Sequence, residues 1–451
     1  MIKDKKLNFY VSLLLIVLII VIFVFNYLNY DPIYGYDAEA HYEYVEGFFA
    51  LLIPNLSDQA SDEITSEFFS PPLPYAVPAI FSVICKNTID VADEAKYCQK
   101  YYGKIIQLIN ASLYFLTLFF YLLTFKVITK NKLINLNVLL PISILAVNYR
   151  TFSMLRGEPY IIFINSILLF LLSKHLDKNF KLEKRDYLIF GILLGLMGLS
   201  RQWAFLLFPA YAYFLFLKNS KDIRKKVFKF LLYSFSTAFI VCSWFYFKLF
   251  FEFGTFTAFN MTPTNFSLYN QPIDFYLINS DEILYLFTKP IRPYLNSFFG
   301  IIYSDVWGDY WGYFVFTSKY LDIGRNQLAI GDYLARVNLI SIIPTIFIFI
   351  GLLRSKLALQ KTNLEKFQPF LNFIKLSALF TIFGYFWFLI KFPVSDAIKA
   401  TYLIQFFHLI TIPLIFYLNY LQKTKKKMYG FFITTLMLVF VHNFSAYLSH
   451  F

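Results

Sequence analysis

The sequence predicts an all-α integral membrane protein, a single polytopic domain over residues 1–451 with about 11 transmembrane helices. Three observations carry that reading. First, 58% of the 451 residues are hydrophobic and only 15% are charged, whereas ordinary soluble domains carry about 25% charged residues. A soluble fold of this length could not hide so much apolar surface, so lipid has to serve as its solvent. Second, apolar stretches of roughly 17–25 residues recur along the chain, the length a helix needs to cross the hydrocarbon core. Third, Lys and Arg gather between those stretches, as they do in cytoplasmic loops. That bias accounts for the net charge of +13 without invoking nucleic acid.

In chain order the expected spans are 8–28, 104–128, 133–149, 159–174, 186–201, 203–217, 227–250, 336–353, 371–391, 399–420 and 429–448. The first follows Lys3, Lys5 and Lys6. It is longer than the apolar core of a cleaved leader and no small-residue cleavage site follows, so it reads as an uncleaved span. Basic clusters at 3–6, 126–132, 174–185, 218–229, 354–366 and 423–427 hold more than half of the 41 Lys and Arg residues. Placing all six in the cytoplasm gives a consistent alternation, with the N-terminus inside and the C-terminus extracytoplasmic. Residues 29–85 carry Asp and Glu but no Lys or Arg, so that stretch lies outside. Basic clusters flank both ends of 186–217, which makes it a hairpin with Ser200-Arg201-Gln202 at its outer tip. By the same argument 133–174 is a hairpin whose tip runs from Arg150 to Pro159. Two large extracytoplasmic loops remain, 29–103 and 251–335. Structureless loops of that length are uncommon unless functional. The three cysteines exclude a zinc framework. Cys85 and Cys98 share the first loop and can pair in an oxidising compartment, whereas Cys242 reads as a buried thiol.

The first loop opens with Tyr34-Gly35-Tyr36-Asp37-Ala38-Glu39-Ala40-His41. Asp37 suits a helix N-cap, and a run of good helix formers follows it. Asp37 and His41 are then four apart on one helical face, just past the end of the first span. Asp37, Glu39 and His41 are also ligand types for a divalent metal, although their spacing is not diagnostic. Farther on comes Glu67-Phe-Phe-Ser70-Pro71-Pro72-Leu73-Pro74-Tyr75, then an apolar run to Cys85. Its prolines suit an interfacial helix entered through a rigid turn.

An acidic motif directly after the first span, followed by a Pro-Pro-Leu-x-Tyr interfacial helix, resembles the C-type polytopic membrane glycosyltransferases that use polyprenyl-phosphate-linked sugars. These include the protein O-mannosyltransferases and aminoarabinose transferases. The resemblance implies that a first-loop carboxylate is the catalytic base. Asp37 holds the matching position, but the family's usual adjacent Asp-Glu is here Asp37-Ala-Glu39, which leaves open which carboxylate acts. The chemistry fits these residue types. A sugar on a lipid phosphate already has a good leaving group, so one carboxylate suffices to take the acceptor proton, whereas glycoside hydrolysis needs two. Cations must then stabilise the departing phosphate.

Candidate cations at outer span ends are Arg150, Arg156, Arg201, Lys391 and Lys399; Glu158 can pair with Arg156 or Arg201. Lys399 is favoured for the donor phosphate. It opens a helix where a cation gains nothing from the helix dipole, which suggests a use. Related enzymes often begin this late span with Arg-Tyr-Leu, and here the order is Lys399-Ala-Thr-Tyr402-Leu403. The second loop packs Trp307, Asp309 and Trp311 into Tyr303–Phe314, beside Asp305 and three Tyr. Flat rings and carboxylates suit sugar C–H faces and hydroxyls. The sequence therefore predicts an inverting glycosyltransferase of a bacterial inner membrane, acting on a lipid, glycan or protein acceptor at the extracytoplasmic face. An O-antigen-type polymerase or ligase, or a multi-pass transporter, is the alternative. No cofactor is implied beyond the divalent metal that Asp37, Glu39 and His41 could hold.

Overall fold

A computed structural model describes residues 2–51, 67, 69–88, 94–130, 135–180, 183–217, 221–257, 267–277, 280–292, 294–312, 314 and 325–449. Every regular element among them is helical. In chain order the α-helices are α1 (Ile2–Asn29), α2 (Ala38–Leu51), α3 (Leu73–Thr88), α4 (Glu94–Thr129), α5 (Leu136–Ser143), α6 (Ala146–Thr151), α7 (Glu158–Asp177), α8 (Lys184–Gly198) and α9 (Lys221–Phe253). Then come α10 (Ile273–Tyr276), α11 (Ser280–Thr288), α12 (Phe298–Trp307), α13 (Arg325–Ile340), α14 (Ile342–Lys361), α15 (Gln368–Lys391), α16 (Ile404–Thr424) and α17 (Lys426–His442). The chain divides into two compact units. The first comprises Met1–Tyr30, Tyr121–Thr151 and Thr264–Phe451, and the second Asp31–Phe120 and Phe152–Pro263.

Among the described residues seven segments are long and apolar enough to cross a membrane. They are Leu7–Asn29, Lys96–Thr129, Glu158–Asp177, Asp222–Phe253, Gly331–Lys361, Glu365–Lys391 and Ser395–Thr424. Each overlaps an expected span, which makes this a helical membrane protein. The other four expected spans are helical but shorter. The stretch 133–149 is split into α5 and α6, with Pro141 inside α5. Helix α8 has only 15 residues. The stretch 203–217 becomes two 3-10 segments, Gln202–Leu207 and Pro209–Phe216, where the ring of Pro209 removes a backbone donor. Helix α17 has 17 residues and ends in a 3-10 turn, Phe444–Tyr447.

Polarity is inverted relative to a water-soluble fold. On α1 the stripe Leu14, Val17, Val21, Val24 and Leu28 is exposed, while Asn26 is buried. Asn26 donates to the Tyr447 carbonyl at 2.9 Å and accepts from the Ser449 N–H at 2.7 Å. An apolar exterior around a hydrogen-bonded polar interior is what a lipid solvent selects.

In the second unit α8 packs on α9 through small residues. A Cβ at Gly191 would come 2.5 Å from the Ser234 carbonyl oxygen, and one at Gly195 would come 2.5 Å from Val241. This close Gly-x-x-x-Gly approach fixes the end of α8, from which Arg201 follows. In the same unit α2, α3 and α4 are stapled together. Tyr102 donates to Glu46 at 2.8 Å, Lys86 pairs with Glu46, and Cys85 and Cys98 form a disulfide.

Candidate functional site

Among the described residues two groups of buried charge form, one in each unit. The second unit's group begins at the turn into α2. Gly35 (φ 136°) and Asp37 (φ 53°) adopt the left-handed region, which glycine enters freely and aspartate tolerates at a cost of about 1–3 kcal/mol. The Asp37 carbonyl accepts the His41 N–H at 3.1 Å, so Asp37 stands at the helix start as expected. Its carboxylate is 38% exposed and lies 4.0 Å from the Arg156 guanidinium. Glu39, in the first turn of α2, is exposed, so the structure does not gather Asp37, Glu39 and His41 into a ligand set. Among the described residues no cluster of three or more His, Cys, Asp and Glu side chains is placed to hold a metal ion.

Behind Asp37 acids and bases alternate. Arg156 is buried; it donates to the Tyr36 carbonyl at 3.4 Å, and its Nε lies 3.4 Å from Glu158 Oε2. Glu158 Oε1 in turn accepts from Arg201 Nε at 3.3 Å. Arg201 Nη1 donates to Glu67 Oε2 at 2.9 Å and also to the Ser70 hydroxyl, which itself donates to Glu67. His41 Nδ1 lies 3.8 Å from Glu67 and shares a 2.7 Å hydrogen bond with the Tyr75 hydroxyl. The ring of Tyr75 packs on Tyr44 at 4.1 Å between centroids. Gly157 lets the turn between Arg156 and Glu158 pass against Ser200, because a Cβ there would collide with the Ser200 carbonyl oxygen. Three carboxylates thus face two guanidinium groups, with only Asp37 at the surface.

Burial holds this network in one protonation state. It drives the His41 pKa down from 6.5 to about 4, outweighing the attraction of Glu67, so the ring is neutral at pH 7. Burial alone would push the Glu67 carboxyl up, but the Arg201 guanidinium and the Ser70 hydroxyl hold it below the usual carboxylate range. The Tyr75 hydroxyl is raised by burial and stays protonated.

The first unit holds the other group. Arg150, at the end of α6, reaches Asp305 Oδ1 at 2.8 Å and Asp309 Oδ1 at 3.0 Å, and donates to the carbonyls of Asp305 and Gly308. The second oxygen of each carboxylate accepts a backbone N–H, from Ala400 at 2.6 Å and from Phe314 at 2.8 Å. Arg150 therefore ties the second loop to the stretch before α16. Lys399, extended and only 3% exposed, carries its ammonium over Trp311 (5.9 Å) and Tyr402 (5.6 Å). Trp307 is buried as well.

The structure thus brings Asp37, His41, Arg156, Glu158 and Arg201 together in one unit, and Trp307, Asp309, Trp311, Lys399 and Tyr402 in the other. Sequence reasoning missed Glu67, which joins Arg201 to His41; an acid directly before an apolar, proline-rich helix was the available signal. It also missed Asp305 as the partner of Arg150, and Arg292, whose guanidinium lies 5.0 Å from the Trp311 ring. Tyr313, part of the aromatic motif, lies outside the described residues. No protein-family model, no curated protein and no solved structure matches this chain.

Proposed function

We propose that this chain is a C-type membrane glycosyltransferase, moving a sugar from a polyprenyl-phosphate donor to a lipid, glycan or protein acceptor. The observation that supports it most is Asp37, an exposed carboxylate held in a left-handed backbone and backed by a buried charge network. Such a group is reachable by an acceptor hydroxyl, and its position does not drift. As the hydroxyl oxygen attacks the anomeric carbon, its proton passes to Asp37. The bond from that carbon to the phosphate oxygen breaks, and its electron pair leaves with the phosphate. Configuration inverts. In the first unit Lys399 is a buried cation beside the rings of Trp311 and Tyr402. Arg201 is engaged by two carboxylates and serves as framework for the base.

The alternation of basic clusters supports a first loop on the extracytoplasmic face with the N-terminus inside, and the bacterial inner membrane is part of this proposal. The Cys85–Cys98 bridge in that loop favours an oxidising compartment and so supports this orientation. The test is transfer by purified protein in lipid bilayers from polyprenyl-phosphate donors bearing labelled sugars, with the anomeric configuration of the product read by NMR. The expected product is inverted relative to the donor. A product of retained configuration contradicts single displacement with one base.

A further inference from the structure

We infer that the second loop carries a phosphate-binding site built on Trp311, with Arg292 as its solvent-facing cation and Lys399 as its buried one. The Arg292 backbone N–H donates to the Tyr310 carbonyl at 3.1 Å, and the Tyr310 hydroxyl donates to the Leu295 carbonyl at 2.9 Å. The turn bearing Arg292 is therefore laced to the turn bearing Trp311. The indole N–H donates to the Ile398 carbonyl at 3.2 Å, which fixes the ring against the segment that delivers Lys399.

The ring thus has two cations addressed to it, a guanidinium at 5.0 Å and an ammonium at 5.9 Å from its centroid. The π cloud attracts each of them. Arg292 is suited to supply the contact. Its carboxylate neighbour, Asp396, lies 3.8 Å away, and the two side chains are 53% and 60% exposed. Water screens such a pair, so it holds Arg292 weakly. Arg150 is the counterexample, fully buried with two carboxylates at 2.8 and 3.0 Å. A guanidinium loosely held at the surface can turn its planar fork to two oxygens of one phosphate. The ligand class is a phosphate ester, from a lipid headgroup or as the free ion. Naming the donor lipid as its source rests on the transferase reading above; the site itself does not.

The experiment titrates the full-length protein in phosphatidylcholine nanodiscs with a polyprenyl phosphate and, separately, with inorganic phosphate. Binding is read as the fluorescence change that Trp311→Phe removes. Arg292→Gln should weaken binding by about tenfold or more, the loss expected for one charge-assisted hydrogen bond. Arg292→Lys, which keeps the charge but not the fork, should fall between. Asp396→Asn should tighten binding, because it removes the competing carboxylate, and Arg354→Gln should bind as the wild type does. Displacement of the lipid by inorganic phosphate identifies the bare phosphate as sufficient, and failure to displace it makes the lipid the ligand; both keep the site. Wild-type affinity for both probes in Arg292→Gln, with no gain in Asp396→Asn, overturns it. Asp37→Asn should bind normally. Loss of binding in Arg292→Gln alongside a wild type that transfers no sugar would leave the site standing and remove the transferase reading.

Discussion

The Arg150 group of the first unit and the Arg156–Arg201 group of the second use the same materials, arginines and carboxylates buried in an apolar protein. They end differently. Around Arg150, both oxygens of Asp305 and of Asp309 are engaged, by the guanidinium and by the backbone N–H groups of Ala400 and Phe314. Around Arg156 and Arg201 the alternation runs from buried Glu67 through Glu158 to Asp37, whose carboxylate meets solvent and lies a loose 4.0 Å from Arg156. A closed set of this kind fastens chain segments that are far apart in sequence. An open one backs an accessible carboxylate with buried members. Charge in a membrane protein's interior is thus not in itself a sign of catalysis; what matters is whether one member is left accessible.

The comparison breaks most readily at the buried arginines. Arg150→Gln leaves Asp305 and Asp309 without their counter-charge, and Arg201→Gln takes the guanidinium from Glu67 and leaves Glu158 with Arg156 alone. Removing one partner of a buried pair costs about 3–5 kcal/mol, so both variants should show greatly reduced yields of folded protein and a lowered melting temperature in detergent. Asp37→Asn changes an exposed group and should melt as the wild type does, within about 0.5 kcal/mol. If Asp37→Asn destabilises as much as Arg201→Gln, Asp37 is another fastening and the contrast between the groups is lost.

Acid sharpens the same contrast by a smaller amount. His41 has its pKa lowered from 6.5 to about 4, so the stability of burying it neutral is fully present above pH 6.5. That stability is lost as pH falls toward about 4, because the unfolded chain then binds a proton that the folded chain refuses. The loss amounts to roughly 3 kcal/mol over that interval. Glu67, whose carboxyl is held below its usual range, adds a further loss at still lower pH. Melting temperatures between pH 7 and pH 4 should fall steeply in the wild type and less in His41→Gln. Parallel curves for the two proteins would remove His41 as the acid-sensitive group.

The parts of this arrangement that were legible in the sequence are the local ones. Asp37 stands at the start of α2 with His41 in its first turn, and the Cys85–Cys98 bridge spans a short stretch of a single loop. Helix geometry or loop length alone constrains such pairs. Seven expected spans are matched by helices of sufficient length because hydropathy sums over many residues. The partners of Arg150 and Arg201 were not legible: Asp305 is 155 residues from Arg150, and Glu67 is 134 residues from Arg201. Nothing in local pattern chooses among acids so distant. Of the four short spans, 203–217 is broken for a local reason that hydropathy ignores, since Pro209 separates two 3-10 segments whose composition is apolar throughout.

The central claim, that an accessible Asp37 is the base of a sugar transfer, is tested most directly by a matched pair of variants in one assay. Asp37→Asn keeps the shape and the helix-start position but removes the proton acceptor, whereas Glu39→Gln makes the same chemical change two residues away on an exposed side chain. With labelled polyprenyl-phosphate donors in bilayers, Asp37→Asn should lose about 10²–10⁴-fold in transfer rate while binding donor normally, and Glu39→Gln should stay near the wild-type rate. Transfer retained in Asp37→Asn and abolished in Glu39→Gln would move the base to Glu39, and transfer retained in both would contradict the account.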